Sequence, residues 1–436
     1  MLRHVKWLLP EVDQWVEAGI IDLAQAEAIR TRYPPTDETT SWGRIIFLAM
    51  GAVLFGLGVI LLIAYNWEEM HKAVKLGLIG LSLTSAHVLG MWFRRPESRF
   101  RTVGEALHLL GTMLFGAGIW LVAQIYHLDE HYPNAFLVWG VGALALGWTL
   151  PSVPQAILGA VILTLWNGFE VLSFGQVNHL ASPLIFFGVL PLAWAFQSRV
   201  LLATGVVSFL ITLAITCLGI SDDLIVPILF FCACMLLSAS LLVREKGLFP
   251  GSAGIFSFLG HLPYLAILYV LSFPSAAPGL LGVDFNNRAS LVYFTLFALA
   301  AAALWLITLW PPSKIRDRLS ESFRIDLLAV PVILIIMIGL IVLRLTGHKA
   351  WPTAGLFNLV FLFHSIVFIS HGCRTVNIRL AATGCLLLSL LAATRYADLF
   401  QSLIMRAVIF LVIGSGLFLV GAYYSKAKKK AREGAS

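Results

Sequence analysis

Along the chain, about fourteen apolar stretches alternate with short polar connectors. Segments such as 43–65 and 289–310 are long enough, at roughly 1.5 Å per helical residue, to cross a hydrocarbon core of about 30 Å. The pattern places spans near 43–65, 74–93, 104–126, 134–150, 153–174, 182–198, 200–219, 223–243, 252–272, 289–310, 326–345, 352–370, 378–394 and 404–424. The fold class it predicts is all-α, a polytopic transmembrane helical bundle. Residues 1–42 are expected to form a small cytosolic helical hairpin, 43–424 the transmembrane domain and 425–436 a basic cytosolic tail.

Charge gives that pattern a direction. Fourteen spans put both termini on one side, and basic residues collect in every second connector: Arg94 to Arg101, Arg199, Arg244 with Lys246, Lys314 to Arg324, Arg374 with Arg379, and the tail from Lys426. On this topology 23 of the 30 Lys and Arg share the side of the termini, which the positive-inside rule makes cytoplasmic. The expected location is a bacterial cytoplasmic membrane. Residues 1–42 are too polar for a signal peptide, so the first segment is expected to start insertion.

Composition narrows the solvent and the partners. A hydrophobic share of 59%, a charged share of 12% and a mean hydropathy of +0.88 exclude an ordinary soluble domain. The net charge of +7 sits beside spans, where it meets anionic lipid; membrane lipids are the expected partners, and no nucleic acid. Four of the five cysteines fall in predicted spans and Cys373 in an inner connector, so no disulfide framework is expected. Cys232 and Cys234 form a C-x-C read here as lipid-facing.

In the hairpin, residues 12–18 predict a short helix stopped by Gly19. Asp22 followed by Gln25 has the spacing of a capping box for a second helix. Leu9, Trp15, Ile20, Ile21, Ala26, Ile29 and Tyr33 are the expected contacts.

The string Gly51-Ala-Val-Leu-Phe55-Gly56-Leu-Gly58 returns as Gly111-Thr-Met-Leu-Phe115-Gly116-Ala-Gly118. Both copies run in the same direction, as a duplicated two-span unit would. Their small residues suit close helix packing, expected here between the first and third spans through Gly56 and Gly116. Trp15, Gly19-Ile20-Ile21, Tyr33, this glycine-rich first span and Asn66-Trp67 resemble the bacterial predicted membrane proteins grouped as domain of unknown function 2157. The resemblance covers roughly the first 150 residues and carries no activity with it.

Candidate chemistry lies at the outer ends of the two similar spans. Asn66, Trp67 and Glu68 follow the first; Gln124, Tyr126, His127 and Asp129 follow the third. His127, Asp129 and His131 form an H-x-D-x-H, which lacks a further ligand in sequence; no metal and no cofactor are expected. Arg344, Arg395 and Arg406 stand at the outer ends of late spans, against the topology signal, and need acids such as Glu170, Asp398 or Asp129, or an anionic ligand. His261 precedes Pro263 in the ninth span, where the proline predicts a kink or break at mid-membrane depth. Nucleotide loops, complete metal sites and nucleophile motifs are absent from the sequence. The ranked expectations are a transporter- or flippase-like protein moving a lipid-linked or small anionic substrate, then a glycosyltransferase-like membrane enzyme at the outer leaflet, then a non-catalytic envelope assembly protein.

Overall fold

The structure is a computed structural model that describes residues 11–32, 69–128, 131–310, 321–343, 350–399, 411, 414–416 and 418–423. It divides into two units, Met1–Leu78 and Ile79–Ser436.

In the first unit, residues 11–17 form a helical turn that ends at Gly19, whose φ of +68° is the left-handed conformation glycine adopts without strain. Helix α1, Leu23–Arg32, then starts on the expected capping box. Gln25 N–H donates to Asp22 Oδ1 at 2.7 Å, and Asp22 N–H donates back to Gln25 Oε1 at 3.1 Å. Arg30 pairs with Asp13 across the turn. The apolar set differs from expectation: Val12 and Ala26 are buried, whereas Ile20 is 69% exposed. Ile20 sits in the turn itself. Leu9 and Tyr33 lie outside the described residues.

The longer helices that follow are α2, Lys72–Phe93; α3, Arg101–Tyr126; α4, Pro133–Thr149; α5, Val153–Gly168; α6, Ala181–Ala195; α7, Arg199–Ile220; and α8, Ile225–Lys246. They continue with α9, Ser252–Leu271; α10, Arg288–Leu309; α11, Glu321–Val342; α12, Ala350–Arg374; and α13, Ile378–Leu399. Each predicted segment from 74–93 to 378–394 is thus a helix, with ends shifted by a few residues. Among the described residues nine helices are long and apolar enough to cross a membrane, and Ala181–Ala195 and Leu327–Val342 are shorter apolar helices. The first predicted segment lies outside the described residues, and the last does so in large part.

Local chemistry fixes several ends. Asn287 Oδ1 accepts from Ala289 N–H and caps α10, Ser198 Oγ accepts from Leu201 N–H at the start of α7, and Gly247 closes α8 at a φ of +62°. Pro263 causes no break, because α9 continues through it as one helix. A proline costs its own N–H bond and frees the carbonyl four residues earlier, and neighbouring helices can absorb that loss.

Helices α7 to α12 enclose the main core, around Phe230, Phe231, Tyr264, Trp305, Phe357 and Phe361. Hydrogen bonds join its helices: Trp305 Nε1 donates to the Cys234 carbonyl at 3.0 Å, and Ser238 Oγ meets Thr308 Oγ1 at 2.5 Å. His364 Nδ1 donates to the Val360 carbonyl, which leaves Nε2 to accept from the Tyr264 hydroxyl at 3.3 Å. Cys232 and Cys234 are in this core, 2% and 0% exposed, and not against lipid as their sequence context suggested. The reason is that α8 buries residues all round its circumference.

Candidate functional site

Helix α3 ends at Tyr126, and His127 caps it in the left-handed region at φ +50°, its N–H reaching the Gln124 carbonyl. Leu128 N–H bonds back to Ala123 O at 2.9 Å. This closure turns the chain toward α4, which starts on Pro133, with its fixed φ, at the first helical position. His131 and Tyr132 are held just before that start.

Helix α5 supplies the partner of His131. Its last turn widens into a π-helical turn over Phe169–Ser173 and stops at Gly175, φ +64°. Such turns add a residue to the helix and re-aim side chains, and they recur at functional sites. Here the turn carries Glu170, 8% exposed. Its Oε1 accepts from Trp166 Nε1 at 3.0 Å and its Oε2 from His131 Nε2 at 2.8 Å. A buried carboxylate is costly unless hydrogen-bonded, and these two donors meet that requirement. In return the carboxylate orients the imidazole.

Aromatic rings surround the pair. Phe174 lies edge-on to His131 at 4.3 Å, Tyr132 packs against Phe169 and Phe174, and Phe136 stacks on Phe169 at 4.9 Å. An open cavity of about 1050 Å³ begins beside them, with Gln124, His127, His131 and Tyr132 at its polar end and Leu83, Phe115, Ile119 and Val138 along its apolar walls. The arrangement can bind an amphipathic molecule, and it holds an imidazole against a carboxylate as proton transfer requires.

The structure therefore brings together Gln124, His127 and, through His131, Glu170. Tyr126 is 49% exposed and does not line this cavity. His261 lies elsewhere, its Nδ1 donating to the Ser257 carbonyl at 2.8 Å. Arg395 donates to Ser272 Oγ at 2.8 Å and lies 4.2 Å over the Phe273 ring. Glu170 pairs with His131, which is held just before Pro133. Asn66, Trp67, Glu68, Asp129, Arg344 and Arg406 lie outside the described residues. The sequence had offered His131 only as part of a metal-like motif; the described residues hold no group of three or more potential metal ligands.

A second arrangement leaves no signature in the hydrophobic pattern. His87 and His108 meet across α2 and α3 at 3.1 Å between their δ nitrogens. Each ring sits over a glycine of the other helix. A Cβ at Gly111 would stand 2.7 Å from His87 Nε2, and one at Gly90 would stand 3.0 Å from His108. The indole of Trp139 covers Gly116 and donates to the Thr112 carbonyl. That face of the third predicted span meets α4. Gly56 lies outside the described residues.

The helices α2 to α4 that frame the cavity fall in the part of the chain that comparison recognises. Residues 13–156 match a family of predicted membrane proteins, DUF2157. The match ends near the start of α5, ahead of Glu170, so the polar end of the cavity is matched and the carboxylate that holds His131 lies beyond. No curated protein and no solved structure is similar to the chain. The chain is a multi-pass helical membrane protein.

Proposed function

We propose that the protein is a transporter- or flippase-like component of the bacterial cytoplasmic membrane that takes a lipid-linked substrate at the outer leaflet. The observation that carries this reading is the cavity at the end of α3, polar at Gln124, His127 and His131 and apolar along α3 and α4. An apolar wall of that extent suits a hydrocarbon chain, while the histidines and Tyr132 suit a hydrogen-bonding head. This favours a lipid-linked substrate over a small anion, because no arginine lines the cavity among the described residues. The outer placement rests on the distribution of Lys and Arg, with both termini cytoplasmic.

Two measurements test it. Thermal shifts of the purified protein against polyprenyl phosphates, phospholipids and soluble organic anions should show stabilisation by the polyprenyl compounds, because a ligand that binds only the folded state raises apparent stability. His131→Ala should abolish that shift. In cells lacking the native cysteines, a membrane-impermeant thiol reagent should label His131→Cys and not Arg99→Cys; the reverse pattern would put the cavity on the cytoplasmic face.

A membrane enzyme acting on a lipid-linked substrate is the second reading, favoured by the His131 to Glu170 hydrogen bond at 2.8 Å. That geometry is what a general base needs. Release of a soluble product from a polyprenyl-linked sugar by the purified protein would select it over transport.

A further inference from the structure

A second cavity, of about 750 Å³, lies between α9, α12 and α13 and reaches the last turn of α8. Its walls are apolar along most of their length, with Leu262 and Leu265 on α9 facing Leu386, Leu387 and Leu390 on α13. One end is polar, and there Arg244, His371 and Asn377 line it. All three belong to helix ends: Arg244 to the last turn of α8, His371 to the last turn of α12, and Asn377 to the connector before α13.

His371 is the informative residue. It is 8% exposed, yet the hydrogen bonds it makes run through its carbonyl, which accepts from Thr375 N–H and Oγ1. Among the described residues its ring nitrogens have no hydrogen-bond partner, although the ring lines the cavity. An imidazole in a cavity wall whose ring nitrogens are unpartnered can bond a polar group in that space. Arg244 stands at the same end, and Lys246, Arg374 and Arg379 lie in the adjoining helix termini; Glu245 is the acid among them. The end is therefore positive.

We propose that this cleft is a binding site for an anionic phospholipid, with the phosphate at Arg244 and His371 and an acyl chain along the leucines of α9 and α13. An Arg guanidinium presents parallel N–H donors matched to phosphate oxygens. An imidazole N–H adds a further donor inside the cleft. The volume lies within the range of about 300–1,000 Å³ typical of pockets that enclose most of a ligand. On the charge-derived topology this end faces the cytoplasmic leaflet, where basic residues at span ends attract anionic lipid.

The test is native mass spectrometry of the full chain in a neutral detergent, supplied with phosphatidylglycerol or with phosphatidylcholine bearing the same acyl chains. Preferential retention of phosphatidylglycerol is expected. Arg244→Gln should lower that retention about five-fold, the equivalent of roughly 1 kcal/mol for one basic side chain at an anionic surface, and leave phosphatidylcholine unchanged. Leu387→Trp, which fills the apolar part and keeps every charge, should lower it as well. Equal retention of the two lipids by the wild type would overturn the proposal, and so would unchanged phosphatidylglycerol retention in both variants. Displacement of the lipid by millimolar inorganic phosphate would identify a plain anion site and overturn the lipid assignment. If Arg244→Gln does not fold, the wild-type lipid comparison and Leu387→Trp decide.

Discussion

Helices α2 and α8 are both apolar and both of 22 residues, yet one is almost bare and the other almost enclosed. Within its most apolar stretch α2 has 11% of its residues buried, whereas the stretch containing α8 has 67%. Helix α8 is surrounded by α7, α9, α10 and α11 and buries Phe230, Phe231, Cys234 and Leu237. Helix α2 buries only Ala86 and Gly90 and touches α3 along a narrow strip of glycines and the two histidines. In lipid, apolarity does not drive one helix against another, because hydrocarbon satisfies an exposed Leu as well as a protein core does. The enclosed helices are held by shape and interhelical hydrogen bonds; α2, bare like α13 at 17%, lies in the segment that matches a family and lines the cavity. The molecule thus sets a packed scaffold around α8 against the open face that its candidate site uses.

The largest test of this contrast compares two tryptophans. Trp305→Ala in the scaffold should cost about 3–5 kcal/mol, since it opens a cavity and removes the hydrogen bond to the Cys234 carbonyl that joins α10 to α8. Trp92→Ala on α2, where the side chain is 54% exposed, should stay within about 0.5 kcal/mol. Thermal or denaturant unfolding in one detergent measures both, and equal losses would erase the distinction.

The narrow strip can be probed next. A Cβ at Gly104 would stand 2.7 Å from the Gly90 carbonyl oxygen, a backbone atom that cannot swing away. Gly104→Ala should therefore cost about 1–3 kcal/mol. Gly111→Ala should cost less, because the His87 ring it meets can rotate. Unfolding midpoints, with cysteine cross-linking of α2 to α3, read the difference; a larger loss at Gly111 would mean that the histidine pair, not the backbone approach, sets the helix spacing.

The smallest effect concerns the site. A double-mutant cycle on His131→Gln and Glu170→Gln should give a coupling of about 0.5–2 kcal/mol, modest because the histidine is partly exposed. Glu170→Gln alone should weaken polyprenyl phosphate stabilisation less than His131→Ala does, since Glu170 acts through the imidazole. Zero coupling would detach the carboxylate from the site.

Much of this architecture was legible in the chain. Helix positions follow from runs of apolar residues bounded by Asn287, Ser198 or Gly247, whose capping chemistry is local. The capping box at Asp22 and Gln25 is local too. Gln124, His127 and Glu170 stood out because polar groups are expensive in apolar surroundings. What they would touch was not legible. Glu170 meets His131 because a π-helical turn re-aims one and a proline-led turn delivers the other, and neither turn leaves a periodicity that a hydrophobic pattern can report.

The sequence by itself determined that the chain is helical and crosses a membrane, because hydrocarbon demands that every backbone group be satisfied within the helix and that each helix be about 20 apolar residues long. Only the tertiary structure decided which helices are enclosed, that Cys232 and Cys234 are internal, and that Gly116 receives Trp139. It alone decided that the buried carboxylate is paired with a histidine. These outcomes depend on side-chain shape and on hydrogen bonds between helices distant in sequence, and an apolar pattern read against lipid is the same for a helix at the centre as for one at the edge.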